Sequence, residues 1–131
     1  MIVDSSASIA LLRQEPEADV FSSAIGNAKV VQISAGTMFE ASLVADRIKD
    51  PGFRRRFDTL CERAGIVVIP FDEQQARIAR DAYRDFGKGS GHPARLNFGD
   101  CFAYALAKAL DEPLLYKGAD FSRTDVLSAL S

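Results

Sequence analysis

The sequence is poor in the residues that hold transition metals, and it has no excess of charge of either sign. One histidine, His92, and two cysteines, Cys61 and Cys101, occur among 131 residues. Neither cysteine belongs to a Cys-x-x-Cys pair or lies near a histidine cluster, which excludes the usual zinc sites. Sixteen Lys and Arg stand against 18 Asp and Glu, a net charge of −2. Domains that bind nucleic acid through a broad basic face have a pI above about 9, so that mode of binding is excluded too. No apolar run approaches the ~18 residues of a membrane span, and Met1-Ile2-Val3-Asp4 lacks the basic start of a secretory signal. The chain reads as a reduced, cytoplasmic protein away from membranes. Its length, with 47% apolar and 26% charged residues, suits one folded domain over 1–131 with a real hydrophobic core.

What is present is a recurring pattern. Short β-branched or apolar runs occur at Ile2-Val3, Val30 to Ile33, Ile66 to Ile69 and Leu114 to Tyr116, each followed by a segment long enough for a crossover helix. Parallel strands require such crossovers and hairpins do not. The expected fold is α/β, a three-layer sandwich with a mostly parallel central sheet flanked by helices. Helices are expected after Ser5 or Ser6, over about Glu17 to Ile25, over about Ala35 to Ile48, from Pro51 through Cys61 with Gly65 as terminator, from the cap Asp72 to about Phe86, and from near Asn97. The last is apolar from Cys101 to Leu110 except at Lys108 and must be buried nearly all round. Gly87 to Pro93 reads as the one flexible stretch.

Four acids fall at telling places. Asp4 ends the first strand and Asp120 follows the fourth by a few residues, and in an open parallel sheet those edges face the ligand crevice. Asp100 opens the buried helix, which begins at the same edge. Glu40 has Gly36 at i−4, Leu43 at i+3 and Val44 at i+4, so its helix face is not a plain solvated stripe. Each acid also has a purely structural explanation. Asp4 suits a helix N-cap, Asn97 to Asp100 has capping-box spacing, Glu40 suits a surface ion pair, and Asp120 suits a turn after Gly118. Together they favour chemistry. Two carboxylates ~5 Å apart at an effective dielectric near 20 repel by about 3 kcal/mol, so a group of them must take up protons or cations. Without His or Cys donors, an all-oxygen site suits Mg²⁺ or Mn²⁺, and such ions serve phosphodiester hydrolysis.

Ile2-Val3-Asp4-Ser5-Ser6-Ala7, Glu40-Ala41-Ser42, Leu96 to Ala105 (Leu-Asn-Phe-Gly-Asp-Cys-Phe-Ala-Tyr-Ala) and Leu115-Tyr116-Lys117-Gly118-Ala119-Asp120-Phe121 resemble, in order and along the whole chain, the PIN-domain ribonucleases, specifically the VapC toxins of toxin–antitoxin pairs. The resemblance implies a PIN-like fold and an Mg²⁺- or Mn²⁺-dependent endoribonuclease. Asp4 and Asp100 would be the principal metal ligands, with Glu40 and Asp120 completing a catalytic quartet and the Ser6 hydroxyl orienting Asp4. A metal-activated water would hydrolyse RNA, tRNA or another structured RNA, without a covalent enzyme intermediate. Lys88, His92 and Arg95, in or beside the glycine-rich stretch, are candidate RNA contacts, and Arg54 to Arg56 could touch RNA or a partner, though a solvated loop or helix face explains these residues equally well. The resemblance also implies a homodimer that assembles into a larger complex with a cognate VapB-like antitoxin, which can place a basic side chain among the acids.

Other readings fit the residues less well. Gly87-Lys88-Gly89-Ser90 lacks Walker spacing, and His92 stands where a dinucleotide fingerprint needs glycine. A haloacid-dehalogenase-like phosphatase wants an acid where Ser6 stands, and a phosphoacceptor domain wants one after the third strand, where Pro70-Phe71 follows. Cys101 on an apolar helix reads as inert core, not as a nucleophile. A solitary PIN nuclease of RNA processing and a non-enzymatic PIN-like binding module remain as alternatives. Setting the four acids aside leaves 14 acids against 16 bases, a mildly basic remainder around a cation-loaded pocket.

Overall fold

Each of the four apolar runs contributes a strand, and the order of those strands creates a crevice. The computed structural model describes residues 1–130. Along the chain run β1 (Ile2–Val3), α1 (Ser5–Leu12), α2 (Ala18–Asn27), β2 (Gln32–Ser34), α3 (Ala35–Arg47), α4 (Pro51–Arg63), β3 (Val67–Ile69), α5 (Glu73–Phe86), α6 (Phe98–Leu110), β4 (Leu114–Leu115) and a 3₁₀ turn at Phe121–Arg123. The sheet order is β3-β2-β1-β4, with every pairing parallel. The chain steps outward from β1 through β2 to β3 and then returns to the other side of β1. The boundary between β1 and β4 is therefore the topological switch point, where open α/β sheets bind ligands.

Strand pleating builds the three layers. Ile2 and Leu114 face a cluster with Leu96, Tyr104, Leu106 and Phe121, on the α5 and α6 side. Their neighbours Val3 and Leu115 face the opposite way, into Ala7, Ala10, Phe21 and Val31 on the α1 and α2 side. Successive residues of a strand point to opposite faces, so two adjacent strands of two residues each, β1 and β4, suffice to anchor two cores. A third cluster joins α3 to α4 through Ala41, Ala45, Phe53 and Phe57. Among the described residues, no helix is long and apolar enough to cross a membrane.

The helix signals work as expected. Asp72 accepts from the Gln75 amide at 2.9 Å, Asp50 caps α4 ahead of Pro51, and Gly65 takes a φ of +63° just past the end of α4, a backbone region that suits glycine. Two expectations need correction. The second strand begins at Gln32, not Val30, because Met1 pairs first: the Gln32 amide donates to the Met1 carbonyl, and the N-terminal amine donates to the Val30 carbonyl. Val30 is left exposed. The stretch from Gly87 to Pro93 is not a free loop. The Lys88 amide donates to Leu96 O at 2.8 Å and the Leu96 amide to Phe86 O at 2.9 Å, while Ala94 and Leu96 are fully buried. Two apolar anchors just beyond the glycines tie the segment down, and only its tip, 88–91, is exposed throughout.

Candidate active site at the carboxyl edge of the sheet

All four acids sit where a chain element meets this edge. Asp4 leaves β1 and caps α1, Glu40 lies in the second turn of the helix that follows β2, Asp100 is in the first turn of α6, and Asp120 follows β4. The structural and chemical readings of the acids turn out to be compatible, because a carboxylate has two oxygens. Asp4 Oδ2 accepts from the Ser6 amide at 3.1 Å and from the Ser6 hydroxyl at 2.6 Å. Its Oδ1 is buried with no hydrogen-bond partner, although the residue is only 2% exposed. Asp100 Oδ2 accepts from the Asn97 amide at 3.0 Å in a reciprocal capping box, which leaves Oδ1 for other work.

Glu40 is held from two sides. Ser5 Oγ donates to Oε1 at 2.7 Å. The carboxylate lies against the α-carbon of Gly99, in the volume a Cβ there would fill. The bland reading of Glu40 as a surface ion pair is thereby replaced: its partner is a hydroxyl, and it lies beside the peptide that carries Asp100. Ser6 has a double task. Its Oγ donates to Asp4 and accepts from the Lys117 amide at 3.0 Å, clipping the segment after β4 to the start of α1 across the switch point. The Lys117 ammonium turns away to pair with Glu15 and, at 3.3 Å, with Glu17. Ser5 and Gly99 were not singled out in the sequence. The available signal was a lone glycine inside a helical pattern, which implies close approach of another group.

Electrostatics show that the acids sense one another. Burial raises the Asp4 carboxyl above the usual carboxylate range, the negative charge of Glu40 adds to this, and the hydrogen bonds from Ser6 and Ser5 oppose it. Asp100 is pushed up to about 6, first by burial and then by the charges of Asp4, Asp120 and Glu40, against the hydrogen bond from Asn97. Asp120 itself is exposed at the rim. Among the described residues, no three acidic, histidine or cysteine side chains are already gathered as a finished ligand cage. The pocket is instead an anionic site with an orphaned buried oxygen, Asp4 Oδ1. An oxygen-preferring divalent cation fits that need, since it would satisfy the orphan and relieve the repulsion. Asp4 and Asp100 could supply oxygens from the sheet and α6, and Glu40 and Asp120 from the flanks.

The three basic candidates are not drawn into this pocket. His92 Nδ1 accepts from the Ala94 amide at 3.0 Å and its ring packs edge-on against Phe86, so it serves as a turn residue. Lys88 and Arg95 are exposed, and their side chains make no hydrogen bond or ion pair among the described residues. Arg54 and Arg56 are engaged with Asp46 and Asp50. Cys101 is buried against α5 and burial pushes its thiol up to about 11, consistent with an inert wall residue.

Comparison with known proteins points the same way. The family model described as PIN domain matches residues 1–127. The chain is 54% identical over 130 residues to Ribonuclease VapC28 of Mycobacterium tuberculosis, covering 99% of this chain and 98% of that protein. Among solved structures it resembles Mycobacterium tuberculosis VapC20, described as a Sarcin-Ricin loop cleaving toxin, with a TM-score of 0.75 and 15% identity over 96% of this chain and 95% of the other. It also resembles VapBC2 from Rickettsia felis, bound to a DNA fragment from its promoter, with a TM-score of 0.75 and 14% identity over 97% and 94%. At those identities the two structures speak for the fold alone.

Proposed function

This chain belongs to the PIN-domain family, among the VapC ribonucleases, and from that premise we propose that it is a metal-dependent endoribonuclease acting as the toxin of a toxin–antitoxin pair. The observation that carries the reading is Asp4 Oδ1, a buried and unpartnered carboxylate oxygen at the switch point, set among the charges of Glu40, Asp100 and Asp120. A structural cap alone gives no reason to bury a carboxylate beside another acid with one oxygen left without a partner.

In this reading Asp4 and Asp100 hold Mg²⁺ or Mn²⁺, with Glu40 and Asp120 in support. When bound, such an ion supplies Lewis-acid stabilisation of charge on phosphate oxygens and activates water. The protein's own side chains do the positioning. Ser6 fixes the rotamer of Asp4 while Ser5 and Gly99 fix Glu40, so the carboxylates meet the substrate with little reorganisation. Asp120, exposed at the rim and close enough for its charge to act on Asp100, would help hold the ion from the solvent side. The Ser5 and Ser6 hydroxyls are occupied as donors to Glu40 and Asp4 and the carboxylates are assigned to the ion, so this reading takes water as the nucleophile and needs no covalent intermediate. The substrate is RNA, of the tRNA or other structured class, and Lys88, His92 and Arg95 are proposed as outlying contacts.

The whole of 1–131 acts as one domain, in the cytoplasm, where Cys61 and Cys101 stay as free thiols. A homodimer within a larger complex is supported by the edge strand β3, where Val67 and Val68 are half exposed and unpaired backbone invites another chain. A VapB-like antitoxin fits the acidic pocket through a basic side chain. The test is incubation of the purified protein with total RNA and Mn²⁺ or Mg²⁺, beside an Asp4→Asn variant. Discrete fragments from the wild type alone are expected. Equal cleavage by both proteins, or cleavage that persists in EDTA, overturns the reading.

A further inference from the structure

Asp120 reaches the acidic site from a segment that is fastened at both ends, and the far fastening lies outside the acids themselves. The Asp120 carboxylate is unrestrained: although the residue precedes the 3₁₀ turn at Phe121–Arg123, its side chain makes no capping bond, and no hydrogen bond or ion pair holds it among the described residues. Its position is therefore inherited from the backbone on either side. Before it, the Lys117 amide is clipped to Ser6 Oγ at 3.0 Å. After it, Asp125 takes two bonds from α6: Oδ1 accepts from the Tyr104 hydroxyl at 2.5 Å and Oδ2 from the Lys108 ammonium at 3.0 Å.

Two observations connect this latch to the acidic site. The first is register along α6. Asp100, Tyr104 and Lys108 are spaced i, i+4 and i+8, one row on one side of the helix. The helix thus presents Asp100 from its first turn and grips the Asp120 segment from the next two turns of the same row. The second is the link between Asp120 and Asp125, which has little slack. The Arg123 amide donates to Asp120 O at 3.4 Å and the Thr124 amide to Phe121 O at 3.0 Å. Thr124 Oγ1 donates to Phe121 O at 2.7 Å and accepts from the Val126 amide at 3.3 Å, while Phe121 and Val126 are both seated in the core with Tyr104. A phenylalanine would fill the buried place of Tyr104 equally well, so what the phenol adds is its bond to Asp125. Burial, and after it that bond, push the Tyr104 hydroxyl well above its ordinary value, so it stays a donor throughout the neutral range.

We propose that Tyr104 and Asp125 are positioning residues of the active site, holding Asp120 beside Asp100 through the 3₁₀ turn so that both carboxylates serve one divalent cation. The proposal rests on the metal-dependent ribonuclease reading and deepens it. It gives a hydroxyl that touches neither substrate nor ion a share of the site's cation affinity. Groups that orient metal ligands from behind contribute roughly 10- to 100-fold in affinity, and a link that runs through a whole turn belongs at the lower end.

The test is calorimetric titration of Mn²⁺ into the metal-free protein at neutral pH, without RNA. Tyr104→Phe keeps the buried ring and removes the hydroxyl, and should weaken Mn²⁺ binding roughly tenfold. Asp125→Ala should do the same, whereas Asp125→Asn, which keeps an oxygen for Tyr104, should stay within about threefold of the wild type. Asp120→Asn should itself weaken binding, and adding Tyr104→Phe to it should cost less than about a further twofold, because the latch then has no ligand to place. RNA cleavage by Tyr104→Phe should fall at limiting Mn²⁺ and recover at saturating Mn²⁺. A latch that only stabilised the fold would lower the melting temperature of these variants and leave the Mn²⁺ affinity of the folded chain unchanged. That result overturns the proposal, as does a Tyr104→Phe loss that is undiminished in the Asp120→Asn background. Wild-type protein that binds no Mn²⁺ overturns the metal reading along with it. Binding and cleavage by the wild type, with unaltered affinity in Tyr104→Phe, defeat the latch alone.

Discussion

The carboxylate of Glu40 occupies the space that any side chain at position 99 would need. A glycine inside a helix ordinarily costs roughly 0.5–1 kcal/mol relative to alanine, so its presence in the second position of α6 marks a requirement. Gly99→Ala should therefore leave the protein folded but displace Glu40 and lower RNA cleavage roughly 10- to 100-fold, the scale of a misplacement of about 1 Å. In a Glu40→Ala background the same change should cost almost nothing further. Additive losses in that double-mutant cycle would show that Gly99 acts independently of Glu40.

Ser5 is the other half of this seat, donating to Glu40 Oε1 at 2.7 Å. Ser5→Ala should lower cleavage about tenfold, because a hydrogen bond to a charged group contributes roughly 1.5–3 kcal/mol, and Ser5→Thr should restore most of it. Steady-state cleavage by the three proteins decides the matter. If threonine performs no better than alanine, the hydroxyl is not what matters.

Ser6 and Lys117 separate a backbone contact from a side-chain one. Ser6→Ala removes a donor to Asp4 and an acceptor for the Lys117 amide at once, and should destabilise the protein by about 1–3 kcal/mol. Lys117→Ala keeps that amide and loses only solvent-screened ion pairs to Glu15 and Glu17, so it should cost distinctly less. Urea titration measures both. A Lys117→Ala loss as large as that of Ser6→Ala would contradict the assignment.

Asp100 binds its proton more tightly in the folded chain, where its pKa is raised from 3.8 to about 6. Between those values the folded state holds the extra proton, so in EDTA this group makes stability fall as pH rises from about 4 through 6, and the loss is complete above it. Asp100→Asn keeps an oxygen for the Asn97 amide and removes the charge. It should melt several degrees above the wild type at pH 7 in EDTA, about 1–2 kcal/mol after discounting for partial exposure, and close to the wild type at pH 4. Mn²⁺ must displace the same proton, so its affinity for the wild type should weaken below about pH 6. A gap between the two melting curves that does not change with pH would refute this.

The glycine-rich segment offers a test by hydrogen exchange. The Lys88 amide donates to Leu96 O and the Leu96 amide to Phe86 O at the end of α5, so both should exchange far more slowly than Gly89 and Gly91 at the exposed tip. Uniformly fast exchange from 87 to 96 would restore the picture of a free loop.

Much of this protein was determined by the sequence itself. Four apolar runs with crossover-length spacing specify a parallel sheet, caps such as Asp72 and Asn97 specify where helices begin, and the alternation Ile2-Val3 and Leu114-Leu115 specifies two cores. These are local or periodic signals, and strand ends place Asp4 and Asp120 at one edge without further information. Tertiary structure decided what depends on distant segments meeting. Gly87 to Pro93 reads as loose from composition, yet Ala94 and Leu96 pin it because the core of α5 and α6 has room for them. Ser5 and Gly99 reach Glu40 only because α1, α3 and α6 start at the same edge. Asp4 could be read as cap or ligand from its neighbours alone. Only the packed chain gives one of its oxygens to Ser6 and leaves the other buried without a partner among the other acids, and burial is the quantity that local sequence does not encode.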